Sequence, residues 1–281
     1  MQCRFPQAKN IEEFWSLLCD AKDAVAKAPD KRFEKMKMLF EGGFINDIDQ
    51  FDAAFFGISP REAQMMDPQQ RLLMEVSYSA MQNAGIAHSA LAGSSTGVYV
   101  GISHSDYGQL LAQNNILSAY SASGNALSIA ANRLSYFYDF NGPSLAVDTA
   151  CSSSLSALEI ACNHLRLNQC QQAIVGGVNL LISDKLTSSL SQANMLAPDY
   201  RCKAFSADAD GYVRSEGCGV VVLKPLSQAE RDGDPILATI LGAAVHQDGR
   251  SNGLTAPNGL AQAQAIKEAL ANAHVDPAEV S

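Results

Sequence analysis

The sequence predicts an α/β fold built on a sheet covered on both faces. Three observations carry this. Short, continuous apolar runs such as TGVYVGI (96–102), AIVGGVNLLI (173–182) and GCGVVVL (217–223) read as strands buried on both sides. Between them lie stretches with apolar residues at helical spacing. The composition, 47% hydrophobic and 17% charged over 281 residues, suits a sizeable core and argues against disorder.

The elements follow in order. Residues 10–28 read as a helix that Asn10 can cap, with Ile11, Phe14, Leu17 and Leu18 at helical spacing. Residues 30–41 are charged and read as a surface loop, and 42–56 as a turn-rich loop. Ser59 and Pro60 make a helix start, with serine at the cap and proline in the first turn. Pro68 opens the next helix, whose apolar side is Leu72, Leu73, Val76, Ala80 and Met81, and Gly85 closes it. A strand at 96–102 and a helix at 127–137 follow. After a turn at Asn141-Gly142-Pro143, SLAVD (144–148) reads as a short buried strand and 152–168 as a helix. Residues 173–182 form a strand pair or one bent strand. Strands are also predicted at 217–223 and 236–245, and a last helix at 259–273. The opening MQCRFPQAKN reads as mid-domain sequence, and the chain stops where this rhythm calls for another strand. The pattern is that of a domain cut at both ends.

Charge and cysteine content exclude some classes. The net charge of −9 gives no electrostatic footprint for nucleic acid and no basic surface for anionic lipid. No apolar stretch approaches 18 residues, so no transmembrane helix is expected. The seven cysteines are odd in number and form no CxxC pair, which fits free thiols in a reducing cytoplasm better than disulfides or zinc. Gly93-Ser94-Ser95-Thr96-Gly97 satisfies the hydrolase elbow pattern, but a strand follows it where a helix is needed. Asp208-Ala209-Asp210-Gly211 lacks the later glutamate of a calcium loop.

One site survives. In Asp148-Thr149-Ala150-Cys151-Ser152-Ser153-Ser154, Cys151 falls at the turn from a strand into an amphipathic helix. The free N–H groups and positive dipole end of a helix N-terminus favour a thiolate. The same N–H groups can stabilise an oxyanion when a thioester carbonyl is attacked. The bland alternative is that Cys151 is a small buried hydrophobe. No histidine stands out as its base. His164 lies thirteen residues along the same helix, roughly 20 Å away. His88 and His274 follow helix ends. His104 and His246 each follow a predicted strand and could approach a site.

Taken together, these segments resemble the ketosynthase domain of modular type I polyketide synthases and related fatty acid synthases. The resemblance rests on CRFP with Asn10-Ile11-Glu12-Glu13-Phe14-Trp15, on FDAAFFGISPREA (51–63), on MDPQQRLL (66–73) and on DTACSSSL (148–155). It continues through RCKAF (201–205), DGYVRSEG (210–217) and QDGRSNGLTAPNG (247–259). It implies a thiolase-like fold of layered α-β-α-β-α form, of which residues 1–281 would be the N-terminal part. The family's first strand and its C-terminal half, with both family histidines, would be missing. It further implies a homodimer within a multidomain synthase and decarboxylative Claisen condensation. Cys151 would take an acyl group from the phosphopantetheine of an acyl carrier protein, no cofactor being bound by the domain itself. Thr255 matches a position lining the phosphopantetheine tunnel. The rival expectations are a non-catalytic truncated fragment or acyl-binding module, and a cysteine hydrolase with a base near Cys151.

Overall fold

The computed structural model describes residues 1–29, 32 and 40–280. In chain order the strands are β1 (Gln2–Arg4), β2 (Val25–Lys27), β3 (Glu41–Gly43), β4 (Thr96–Gly101), β5 (Ser144–Val147), β6 (Gln172–Asn179) and β7 (Gly217–Leu223). The helices are α1 (Ile11–Cys19), α2 (Pro60–Met65), α3 (Pro68–Asn83), α4 (Asp106–Gln113), α5 (Ser121–Asn125), α6 (Leu127–Tyr138), α7 (Ser153–Arg166), α8 (Lys185–Gln192), α9 (Leu226–Asp232) and α10 (Gly259–Ala273).

Five strands make one mixed sheet in the order β1-β7-β6-β4-β5. β4 runs parallel to both β5 and β6, while β7 runs antiparallel to β6 and β1. Side chains alternate across the sheet, as a period of two requires. Val98, Val100 and Ile174 face α3 and α6, where they pack with Leu72, Leu73, Val76, Met81 and Leu134. Tyr99, Ala173 and Val175 face the other way, onto Ala157, Ala161 and Leu165 of α7. Every residue of β4 is buried, which explains why its sequence is a continuous apolar run.

The caps behave as their chemistry demands. Asn10 accepts from Glu13 N at 2.8 Å, Ser59 from Glu62 N at 3.2 Å and Asp67 from Gln69 N at 2.9 Å. Gly85, at φ +71°, turns the chain out of α3.

Several expectations are corrected. The helix expected over 10–28 ends at Cys19, where Ala21 takes a left-handed φ of +50° and the chain turns into β2. β2 and β3 pair as a separate two-stranded ribbon, so the loop expected from 42 begins as strand. Residues 30, 31 and 33–39 of the expected surface loop lie outside the described residues, and Phe40 beyond them is buried. Gln2–Arg4 forms a strand that the sequence pattern did not assign. β5 is half exposed, not buried, because it lies at the edge of the sheet among the described residues. Residues 173–182 contain a single strand, which leaves the sheet after Asn179. Residues 236–245 form no strand. A strand needs a hydrogen-bonded neighbour, and among the described residues this segment has none. Its Ile236, Leu237, Leu241 and Val245 are exposed, and it is tied to α10 by Asn272 Nδ2 donating to Ala243 O at 3.0 Å.

Candidate active site

The chain leaves β5 at Asp148, makes one 3-10 turn over Ala150–Ser152 and enters α7. Cys151 is the middle residue of that turn and is exposed. The helix expected to start at Ser152 therefore begins one residue later, with Cys151 in the short turn that precedes it.

Local hydrogen bonds hold the turn. Asp148 Oδ1 accepts from Ala150 N at 3.0 Å. That bond, with help from the Ser103 hydroxyl and the charge of His104, holds the Asp148 carboxyl below the usual carboxylate range. Ser153 Oγ accepts from Thr149 N at 3.0 Å and donates to Ala150 O at 2.6 Å. Ser103 Oγ lies 3.2 Å from Ser153 Oγ, linking the turn to the end of β4. Ala150 sits at φ +55°, a left-handed conformation that costs a non-glycine residue roughly 1 kcal/mol or more. The strain is confined to the residue that presents Cys151.

Two glycines let α7 approach the sheet. A Cβ on Gly101 would lie 2.5 Å from Ser154 N, and one on Gly177 would lie 2.7 Å from Ser154 Cβ. The start of α7 is thus pressed onto the ends of β4 and β6.

Cys151 lines a cleft of about 620 Å³. Leu186 and Leu190 of α8, Met195 and Val178 give it apolar walls, and Ser103, His104, Tyr212 and Arg214 give it polar ones. Burial pushes the Tyr212 hydroxyl above its ordinary range; Arg214 opposes this and negative charge at Cys151 would add to it. Burial also lowers the Arg214 guanidinium, which donates to Thr187 Oγ1 at 2.9 Å.

Of the five histidines, only His104 reaches the cleft wall. None hydrogen-bonds Cys151 among the described residues. His164 Nδ1 pairs with Tyr99 OH at 2.7 Å on the α7 side of the sheet. His246 pairs with Glu268, His88 packs on Phe137, and His274 ends α10 in a left-handed conformation. Thr255 stays exposed on the loop before α10 and does not line the cleft. The sequence does not single out Tyr212 and Arg214, although both lie in the DGYVRSEG segment. Among the described residues no three His, Cys, Asp or Glu side chains group to hold a metal ion.

Residues 1–229 match the family described as beta-ketoacyl synthase, N-terminal domain, and 237–281 match its C-terminal domain. Over its whole length the chain is 48% identical to a phenolphthiocerol/phthiocerol polyketide synthase from Mycobacterium tuberculosis, covering 16% of that protein. It is also 48% identical to polyketide synthase GfsE of Streptomyces halstedii, covering 8% of it. Among solved structures it superposes on the ketosynthase from module 6 of the bacillaene synthase of Bacillus subtilis 168 with a TM-score of 0.92 at 38% identity. With the oxazolomycin ketosynthase domain OzmH KS7 of Streptomyces albus JA3453 the TM-score is 0.93 at 36% identity. All of this chain is covered in both cases, against 48% and 52% of those chains. The layered α/β architecture is therefore the thiolase-like one of these ketosynthases. The chain belongs to the beta-ketoacyl synthase family, as ketosynthase sequence of the kind found in modular polyketide synthases.

Proposed function

We propose that Cys151 is the acyl-accepting nucleophile of a condensing enzyme. The observation that carries this reading is the exposed thiol on a tightly bonded turn at the head of α7, opening into the cleft. The dipole of a 14-residue helix points its positive end toward this turn.

In this reading the sulfur of Cys151 attacks the thioester carbonyl of an acyl group on the phosphopantetheine of an acyl carrier protein. The carbon–sulfur bond to the carrier breaks, and the carrier leaves as its thiol. The backbone N–H of Cys151 is one arm of the oxyanion hole. A malonyl or methylmalonyl unit on a carrier protein then loses carbon dioxide. Its carbanion forms a carbon–carbon bond to the acyl carbonyl, and the Cys151 thiolate is released. The domain binds no cofactor of its own. Apolar Leu186, Leu190 and Met195 suit an acyl chain better than a charged substrate.

The wider reading is a homodimeric domain of a cytoplasmic multidomain synthase, of which residues 1–281 are the N-terminal part. Thr255 lines the phosphopantetheine tunnel once the rest of the domain folds around its loop. No helix among the described residues is long and apolar enough to cross a membrane. Among the described residues no histidine hydrogen-bonds Cys151, which favours this reading over a cysteine hydrolase.

The test is a condensation assay on the full-length protein with carrier-bound acyl and malonyl substrates. Product from the unmodified protein and none from Cys151→Ala is expected. Undiminished product from Cys151→Ala contradicts the assignment.

A further inference from the structure

α8 forms the apolar wall of the cleft, yet the core does not hold it there. Thr187 is its one buried residue, whereas α3 buries ten. Leu186 and Leu190, one turn apart on the same face, are only half-buried and line the cleft. A helix so poorly packed needs another anchor.

The segment joining β6 to α8 supplies it. Four consecutive backbone N–H groups there donate to side chains brought from three distant parts of the chain. Leu180 N–H donates to Gln69 Oε1 at 3.2 Å and Leu181 N–H to Glu216 Oε1 at 2.8 Å. Ile182 and Ser183 N–H both donate to Asp106 Oδ2, at 3.2 and 3.0 Å. The three acceptors are buried, at 2%, 3% and 8% exposure for Gln69, Glu216 and Asp106. Thr187, held by Arg214, ties the helix from its other side. Removing an acceptor here leaves N–H groups that the sheet no longer serves and that water reaches poorly.

We propose that Asp106 is a positioning residue for acyl-chain selection. It lies outside the cleft, and by holding the Ile182 and Ser183 N–H groups it fixes α8, and with it the Leu186–Leu190 wall beside Cys151. Extended apolar acyl chains depend on that wall; a two-carbon acyl group does not reach far along it. The proposal rests on the reading of Cys151 as acyl acceptor.

The experiment measures transfer of octanoyl and acetyl groups from their pantetheine thioesters to Cys151 in the full-length protein, with hydrogen exchange read over α8. In Asp106→Ala the octanoyl-to-acetyl ratio of kcat/KM should fall about tenfold, chiefly through KM for the octanoyl donor. Asp106→Asn, which can keep an oxygen facing both N–H groups, should restore the ratio. The amides of Lys185–Gln192 should exchange at least about tenfold faster in Asp106→Ala, while those of β4 and β6 keep their protection. Thr187→Val, which loosens α8 from the opposite side, should lower the ratio in the same direction and serves if Asp106→Ala does not fold. A ratio unchanged in both variants overturns the proposal, and so does a parallel loss for both donors. If neither donor acylates Cys151 in the unmodified protein, the proposed function fails. Exchange then decides the anchoring role alone: faster exchange confined to α8 supports it, and unchanged exchange overturns it.

Discussion

Gly101, the last residue of β4, and Ser154, in the first turn of α7, are packed so closely that a Cβ at 101 would lie 2.5 Å from the Ser154 nitrogen. The other nearest atoms, Ser153 C and Ser154 Cα, are also backbone, so no flexible side chain can give way. This contact sets the height of the Cys151 turn above the sheet. Gly101→Ala should therefore destabilise the chain by about 1–3 kcal/mol, the usual cost of overpacking. Urea denaturation reads this as a lower midpoint with an unchanged slope.

Thiol burial separates the cysteines. Cys151, Cys19 and Cys202 are exposed, while Cys3, Cys162, Cys170 and Cys218 are buried. Burial also pushes the thiols of Cys3, Cys162 and Cys218 above the ordinary cysteine range. Brief treatment of the native chain with iodoacetamide, followed by peptide mass mapping, should modify Cys151 and leave those four unmodified until denaturant is added. Labelling of Cys218 ahead of Cys151 would contradict the placement.

Asp67 gives a stability term with a defined sign. Burial raises its carboxyl above the usual range, more than the hydrogen bonds from Gln69 N and Ser105 lower it, and Asp106 adds to the rise. The folded state thus holds this proton more tightly than the unfolded state. The stabilisation is complete below the unfolded value, near 4, and is lost as pH rises through the elevated folded value. Asp67→Asn cannot ionise and can still cap α3. Its stability relative to the parent should rise between about pH 4 and neutrality, read by urea denaturation at several pH values. A relative stability that falls over that range would contradict the direction.

The segment at 236–245 contrasts with the true core. Leu237 is 67% exposed and Ile174 1%. In this chain Leu237→Ser should change stability by less than about 0.5 kcal/mol. Ile174→Ala should cost about 2–5 kcal/mol. Comparable losses from both would show that 236–245 is packed within the chain.

Much of this fold was legible because the relevant signals are local. Asn10 and Ser59 mark helix starts through their own side chains, and each accepts from a nearby backbone N–H. β4 and β6 announce themselves as apolar runs because helices cover both faces, whereas β7, which the sequence reads the same way, is buried only at Cys218 and Val220. Cys151 was legible for the same reason: a strand, small turn residues and an amphipathic helix fix its place. What failed depends on long-range partners. Ile236 to Val245 has the residues of a strand, but pairing requires a neighbour that the described residues do not provide. Gln2–Arg4 is too short and polar to signal a strand, and β7 makes it one. Tyr212, Arg214 and Asp106 reach the cleft or its scaffold only through tertiary packing, and no spacing in the sequence connects them to Cys151.

The central claim is that the Cys151 sulfur carries the acyl group. Its most direct test is intact-mass measurement of the full-length protein after incubation with an acyl-loaded carrier protein, followed by peptide mapping. The expected result is a gain of one acyl group on the peptide bearing Cys151, absent in Cys151→Ala. An acyl group that maps elsewhere, or that persists in Cys151→Ala, contradicts it.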